Sequence, residues 1–509
     1  MLLCVPAFLI NLEKLPFIGD EAIRCIVAFE MMVSHNYLVP RINGDFYFSK
    51  PPLYNWILIA SYNFFGYVNE YSSRIPTVIF TLMFGVVIYL FNRDKFVNKH
   101  NAILLALMFL TCGRIMFYDS YLGLIDIFFS MVTYTMLMFT YHYAVKDRWA
   151  MVYFSMFGLS VVGFMLKGLP TFHFLIFNIL IIHVIFGQWK RLLSPSFFIA
   201  VLGFISSLGF YFYNYNIYVD ASKTVGPLLL QATLHTVVHH SVSDILANML
   251  IYPFENIYHF LPYSIFGILA LRKDIFALVK SNKYILFCSV SFLANFMIYW
   301  VSMDAYPRYI LMLIPLVYTV WVFLLEIELQ EARWRMRLLR RLFGVVIVTV
   351  PIMLFLGFFN TDLKQVDFAY AKLATLLVLV GSCSYVYLSK RYLRPISLVI
   401  MVLLVRIGFN IFVLPIRAEG RDTSLVKTEM FRIAELYGDQ ISIFGESKLD
   451  FVNTAYYSIK SGEILERENL INESDYFIID SCYMFEYKLL DSFPDASYGG
   501  MRWIVKGEE

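Results

Sequence analysis

The chain has 509 residues, of which 59% are hydrophobic, 18% aromatic and only 16% charged, with a mean hydropathy of +0.66. Soluble domains average roughly 45–50% apolar and about 25% charged, so a single water-soluble core cannot absorb this much apolar surface. The formal net charge of +3 is close to neutral and gives no electrostatic ground for a nucleic-acid partner.

Apolar runs of roughly 17–25 residues, the length that crosses a bilayer as a helix, recur along the chain. Thirteen spans are expected, near 1–15, 74–92, 102–118, 122–144, 149–166, 169–187, 196–219, 256–271, 284–302, 308–327, 343–360, 370–388 and 396–416. The first is short for a crossing. Either it sits tilted in the protein or the true start lies upstream; a signal peptide would need a basic n-region and a small-residue cleavage site, and neither is visible.

Lysine and arginine set the orientation. The loops "FNRDKFVNKHN", "VKDRW", "GQWKRLLSPS", "LRKDIFALVKSNK", "QEARWRMRLLRR" and "SKRYLRP" hold 19 Lys+Arg, as the positive-inside rule asks of cytoplasmic segments. The alternate gaps are poor in basic residues, which places 16–73, 220–255 and everything after 416 outside. Residues 417–509 mix helical and strand-like patterns and carry 10 Lys+Arg against 18 Asp+Glu, a net of −8. The expected fold is an all-α polytopic membrane protein of about thirteen helices, with interfacial helices in the first outward loop. Residues 1–416 form the transmembrane domain and 417–509 a small outward α/β domain.

Ionisable residues at membrane depth are costly and face a cavity or a partner. Asp20, Glu21, Lys50, Arg74, Asp119, Asp126, Lys167 and Arg308 all fall at outward loops or outward helix ends. A channel or an alternating-access transporter should instead carry polar groups near the midplane. Taken in order, Asp20 in "FIGDEAIRCIVAFEMMVSHN" precedes an amphipathic helix expected to lie along the membrane surface. It either caps that helix or offers a carboxylate at the mouth of a cavity. Lys50 precedes two prolines that hold the backbone extended, so its ammonium either snorkels to headgroups or meets a phosphate. Lys167 in "LKGLP" and Arg308 in "YPRYI" repeat the pattern of one cation beside Gly or Pro. Asp126, several residues inside an apolar run, needs a partner; Arg114 is the structural candidate for it or for Asp119.

The ordered string "GDEAIRC…VPRINGDFYFSKPPLYNW…SSRIP" resembles bacterial members of the protein O-mannosyltransferase and aminoarabinose (lipid A) transferase group, C-type glycosyltransferases that use polyprenyl-phosphate sugars. "LGLID", "LKGLP" and "YPRYILMLIPL" resemble later elements of the same group. The resemblance covers most of the membrane part, is weak over 180–300 and hardly touches the tail. It implies Asp20, with Glu21 and Asp126, as the catalytic acids. Lys50, Lys167, Arg308 and Arg74 would hold the donor phosphate, and Arg41, Asn43, Tyr47, Tyr54 and Trp56 would line the substrate site. The implied donor is a polyprenyl-phosphate sugar, and the acceptor a glycolipid, a protein hydroxyl or a glycan. The implied location is a bacterial inner membrane, with the site and the C-terminal domain periplasmic. No cofactor is certain and a divalent metal stays open, but Ser49 stands where aminoarabinose transferases tend to carry an acid, which weakens a metal site there and any claim to the same substrate. An ordinary aspartate, with a pKa of about 3.9, is a poor base near neutrality, so base work by Asp20 requires partial burial. If the acceptor is a phosphate, Asp20 need only orient it.

Other features weigh less. Cys25 and Cys482 both face outward and could pair, but free thiols are the expected state; no CxxC or Cys/His metal spacing exists. His235, His239 and His240 are ligand candidates in what reads as a solvated loop. The rival functions are a polymerase or ligase of polyprenyl-linked polysaccharide, which should carry large outward loops rich in Arg and His, and a lipid or solute transporter, which should show midplane polar groups and internal repeats.

Overall fold

The structure, a computed structural model, describes residues 3–220, 242–302, 305–331, 334–419, 422–469, 476–480, 487–496 and 500–507. His235, His239, His240 and Cys482 lie outside the described residues.

Helices dominate. In chain order they are α1 (Cys4–Leu9), α2 (Asp20–Val33), α3 (Leu53–Phe65), α4 (Glu70–Asn92), α5 (His100–Leu110), α6 (Gly113–Phe117), α7 (Asp126–Val145), α8 (Trp149–Lys167), α9 (Pro170–Phe186) and α10 (Pro195–Tyr215). After them come α11 (Val242–His259), α12 (Ile275–Ser281), α13 (Lys283–Val301), α14 (Ile314–Glu331), α15 (Trp334–Leu356), α16 (Ala369–Ser389), α17 (Arg394–Gly408), α18 (Leu414–Glu419), α19 (Asp422–Tyr437) and α20 (Phe451–Ser461). Among the described residues seven helices are long and apolar enough to cross a membrane, or eight if the bent pair His100–Leu110 and Gly113–Tyr121 counts as one span.

Several of the thirteen expected runs are not single crossing helices; the run at 102–118, for one, is the bent pair α5 and α6. The run at 1–15 forms only the six-residue α1. The run at 256–271 is divided between the end of α11 and a 3-10 turn, Tyr263–Ala270, that begins after Pro262. Apolar composition reports burial in an apolar medium; it does not report an unbroken helix, and a proline without an N–H interrupts the ladder.

The C-terminal residues form a five-stranded sheet of order β4-β3-β5-β7-β6, where β3 is Ile441–Phe444, β4 Arg467–Glu468, β5 Tyr476–Ile479, β6 Tyr487–Pro494 and β7 Met501–Gly507. β3 pairs in parallel with β4 and β5, and β7 pairs antiparallel with β5 and β6. α19 and α20 pack on each other, and α20 packs on α2. That contact changes the expected setting of α2. The helix is buried over most of its circumference, from Glu21 to Met31, because α20 covers the face that would otherwise meet solvent.

The same contact is made from the first loop. β1 (Arg41–Ile42) and β2 (Asp45–Phe46) form a two-residue hairpin in which Arg41 pairs with Phe46 and Ile42 with Asp45. Asn43 and Gly44 both have positive φ, 54° and 78°, the left-handed turn that Asn-Gly adopts at least cost. Asn43 then donates to Leu465 O at 3.0 Å and to Thr454 Oγ1 at 3.3 Å, and its own carbonyl accepts from Arg467 N at 3.1 Å. The C-terminal sheet is thereby fastened to the segment that carries Asp20 and Lys50.

Candidate active site

α2 starts at Asp20 because Gly19, with φ +49°, turns the chain sharply into the helix; that backbone conformation favours glycine. Asp20 and Arg24 are one helical turn apart on one face. Both line a cavity of about 710 Å³ that also takes in Tyr47, Lys50, Asp126, Lys167 and Arg308. Asp126 opens α7, Lys167 closes α8, and Arg308 sits in the 3-10 turn Pro307–Ile310 just before α14. Four distant parts of the chain thus meet in one hollow.

The charges are interlocked. Arg308 Nη2 donates to Asp20 Oδ2 at 2.7 Å, and its Nε lies 3.7 Å from Asp126 Oδ2. Lys167 Nζ donates to Asp126 Oδ1 at 2.5 Å and stands 4.3 Å from the centre of the Tyr309 ring. Asp126, not Asp119, therefore takes two cationic partners, while Arg114 pairs with Asp119 at 2.8 Å. The Asp20 side chain is 56% exposed, so the partial burial that base work requires is not present.

Two cations in the cavity have no carboxylate partner among the described residues. Lys50 is one. Burial pushes its ammonium down to about 8; the positive charges of Lys167 and Arg24 act in the same direction, and the Asp126 and Asp20 carboxylates oppose them. Arg24 is the other, and sequence reasoning missed it. Its Nη2 donates to the Tyr47 hydroxyl and its Nη1 has no hydrogen-bond partner, although the residue is 6% exposed. The signal was available, since Arg24 follows Asp20 by one turn and is the one cation in a largely apolar helix. Phe451 from α20 and Tyr299, Tyr306 and Tyr309 complete the wall, and none of them was singled out in the sequence.

Several expected site residues do not face this cavity. Glu21 and Arg74 pair with each other, fully buried: Arg74 Nε to Glu21 Oε1 is 2.7 Å and Nη2 to Oε2 is 2.8 Å. Arg74 also donates to the carbonyls of Leu12, Leu15 and Pro16, and Glu21 Oε1 accepts from Gly123 N at 2.7 Å. The pair fixes α2, α4 and the turn before α7, and so positions Asp20 and Asp126 from behind. Gly123 is required by space, since a Cβ there would lie 2.9 Å from Ser73 O. Tyr54 is buried with its hydroxyl on Thr77 Oγ1 at 3.1 Å, and Trp56 donates Nε1 to Tyr37 O at 2.6 Å. Arg41 stacks over Phe46 at 4.8 Å, and Asn43 forms the hairpin turn. Glu30, also missed, holds that turn by accepting from Asn43 N at 2.6 Å and Gly44 N at 3.2 Å. Of the expected lining residues, Tyr47 alone is on the cavity wall.

Metal binding finds no support in the donor set. Among the described residues no group of three or more His, Cys, Asp or Glu is placed to hold an ion, and the residue before Lys50 is Ser49. Cys25 is buried as a free thiol.

Comparison with known proteins bears on the fold. The family model described as dolichyl-phosphate-mannose-protein mannosyltransferase matches residues 49–212. Over the full length, the crystal structure of ArnT from Cupriavidus metallidurans bound to undecaprenyl phosphate superposes with a TM-score of 0.67 at 16% identity, covering 99% of this chain and 96% of that one. The fold is that of ArnT. A second structure of the same protein, in the apo state, gives a TM-score of 0.68 at 15% identity, covering 98% of this chain and 96% of that one. In sequence, an undecaprenyl phosphate-alpha-4-amino-4-deoxy-L-arabinose arabinosyl transferase of Pseudomonas savastanoi pv. phaseolicola is 28% identical over 153 residues, which are 30% of this chain and 28% of that protein. An uncharacterized protein of Aquifex aeolicus is 22% identical over 324 residues, 62% of this chain and 61% of its own length. The alignments span less than two thirds of these relatives. The resemblance to the aminoarabinose transferase and mannosyltransferase group holds in both sequence and fold, and the chain is a multi-pass membrane protein.

Proposed function

We propose that this chain is an integral-membrane glycosyltransferase that moves a sugar from a polyprenyl-phosphate donor to an envelope acceptor at the outer face of the membrane. The observation that carries the reading is the single cavity where Asp20 and Asp126 meet Arg24, Lys50, Lys167 and Arg308. The positive-inside pattern of the loops supports an outward-facing cavity and an outward C-terminal region.

Transfer breaks the bond between the anomeric carbon and the phosphate oxygen and forms one to an acceptor oxygen on the opposite face, with inversion. The electron pair leaves with the polyprenyl phosphate, whose growing charge needs fixed cations more than a proton. Lys50 and Arg24, which no carboxylate neutralises among the described residues, suit that task. Lys167 and Arg308 hold Asp126 and Asp20 in place. An exposed carboxylate already paired with a guanidinium is better suited to orienting an acceptor than to deprotonating one. That favours an acceptor arriving as an anion, such as the phosphate of a lipid A-like glycolipid, over a protein or glycan hydroxyl. The similarity to proteins named as undecaprenyl phosphate-aminoarabinose arabinosyl transferases supports an undecaprenyl-linked amino sugar as donor.

Mass spectrometry of envelope glycolipids and glycoproteins from a deletion strain tests the reading. Loss of an amino-pentose from a glycolipid phosphate is expected. Loss of a hexose from protein would move the acceptor to a hydroxyl, and loss of polymerised glycan would favour the polymerase or ligase. An unchanged envelope with impaired lipid or solute movement would overturn transfer altogether.

A further inference from the structure

A second pocket, of about 160 Å³, lies at the other end of the bundle, rimmed by Arg340, Arg391 and Arg394. The two sites flank α14. Arg308 and Tyr309 precede its first residue, Ile314, whereas Leu325 and Leu329 near its end line the second pocket. At 1.5 Å per residue the 18-residue helix is roughly 27 Å long, close to the hydrocarbon thickness of a bilayer. The second pocket therefore faces the opposite leaflet, the inner one by the positive-inside pattern.

The arginines here differ from their neighbours. Arg272 and Arg335, at the same end, are neutralised: Arg335 bonds Glu328, and Arg272 reaches Asp274 at 2.6 Å and Glu328 at 3.4 Å. Arg340 and Arg391 have no carboxylate partner among the described residues. Arg394 donates Nε to Tyr387 O at 3.1 Å and stands 5.6 Å from the Tyr387 ring, which fixes its guanidinium without neutralising it. Arginines that serve only to orient a loop can sit anywhere in water. Arg340 lies in the second turn of α15, Arg391 in the turn before α17 and Arg394 at the first residue of α17, and the three meet over an apolar wall that includes Phe266, Leu339, Phe343 and Leu398.

Uncompensated guanidinium groups above an apolar hollow between spans complement an anionic head joined to acyl chains. We infer that this pocket binds an anionic phospholipid of the inner leaflet. The lipid phosphate lies on Arg340, Arg391 and Arg394, and its glycerol and upper acyl carbons fill the hollow. The site is remote from the sugar-transfer cavity, and the inference does not depend on the proposed reaction.

The test uses the full-length protein, delipidated in neutral detergent and titrated with phosphatidylglycerol, cardiolipin or phosphatidylcholine, with bound lipid read by native mass spectrometry. The anionic lipids should bind and phosphatidylcholine should not. Arg391→Gln should weaken binding about fivefold, and the triple change to Gln on the order of 100-fold, while the triple change to Lys keeps most of it. Arg391 lies in an exposed turn, so its single variant carries the test if the triple variant does not fold. Equal binding of phosphatidylcholine, or unchanged retention by Arg391→Gln and the triple Gln variant, would overturn the inference. So would preferential retention of polyprenyl phosphate at these arginines, or inorganic phosphate binding as tightly as the lipid.

Discussion

Arg308 follows Asp20 by 288 positions in the chain, yet its Nη2 donates to Asp20 Oδ2 at 2.7 Å while its Nε lies 3.7 Å from Asp126 Oδ2. One planar guanidinium reaches both acids from two different nitrogens, a fixed spacing that a single lysine nitrogen does not reproduce. The relative position of the two carboxylates is therefore set by the turn that precedes α14.

Asp20→Asn should leave the fold intact, because the side chain is 56% exposed, and lower transfer on the order of 100-fold or more. Arg308→Lys should reduce kcat more than it raises the donor KM, since it disturbs the acids while retaining a positive charge. The readout is steady-state transfer from a polyprenyl-phosphate sugar by purified protein. Full activity of the Asp20 variant would remove that residue from the mechanism.

Lys50 predicts a pH limb. Its ammonium is pushed down to about 8, so the charge that meets the donor phosphate is present below that pH and lost as pH rises through it. The donor KM should be flat below about 8 and climb about tenfold per unit above it. Lys50→Arg should carry the limb out of the accessible range; Lys50→Met should raise KM at every pH and abolish it. A wild-type KM that stays level to the alkaline limit of the assay argues against phosphate contact at this residue.

Arg24→Ala should raise the donor KM by about tenfold or more, the usual loss for a charged hydrogen bond, with little change in stability beyond the Tyr47 contact. If the donor KM is unchanged and only unfolding shifts, Arg24 holds the Tyr47 loop and nothing more.

The buried Glu21–Arg74 pair should behave as a structural unit. Removing one partner leaves an uncompensated charge and costs about 3–5 kcal/mol, whereas Glu21→Leu with Arg74→Met should recover much of the loss. Thermal unfolding in detergent distinguishes this from catalysis, because a catalytic Glu21 would lose activity at unchanged Tm.

The Asn43-Gly44 turn should control attachment of the C-terminal sheet. Gly44→Val forces a branched side chain into a left-handed conformation, costing about 1–2 kcal/mol, and should expose residues after 416 to limited proteolysis. Glu30, chiefly through burial, is raised from 4.5 to about 7. The folded state then binds the extra proton between those values, so protection of the hairpin amides in hydrogen exchange should increase as pH falls from about 7 towards 4.5. Glu30→Gln should flatten that dependence.

Asp20, Lys50, Asp126, Lys167 and Arg308 could be read in advance because a charge in an apolar, proline- or glycine-marked context has few cheap explanations, and all five line one cavity. The sequence by itself therefore determined the membrane class and singled out five charges that the structure brings into one cavity. It could not say which charges would neutralise each other. Glu21 sits beside Asp20, and Arg74 carries the same charge as Lys50, but pairing depends on where α4 crosses α2, a matter of three-dimensional packing. Tertiary structure alone separated the buried Glu21–Arg74 pair from the open Asp20, turned Asn43 into a clamp on the C-terminal sheet, and brought Arg24 into the cavity. The physical reason is that a charge's cost depends on distance and solvent, and both are fixed only when remote segments meet.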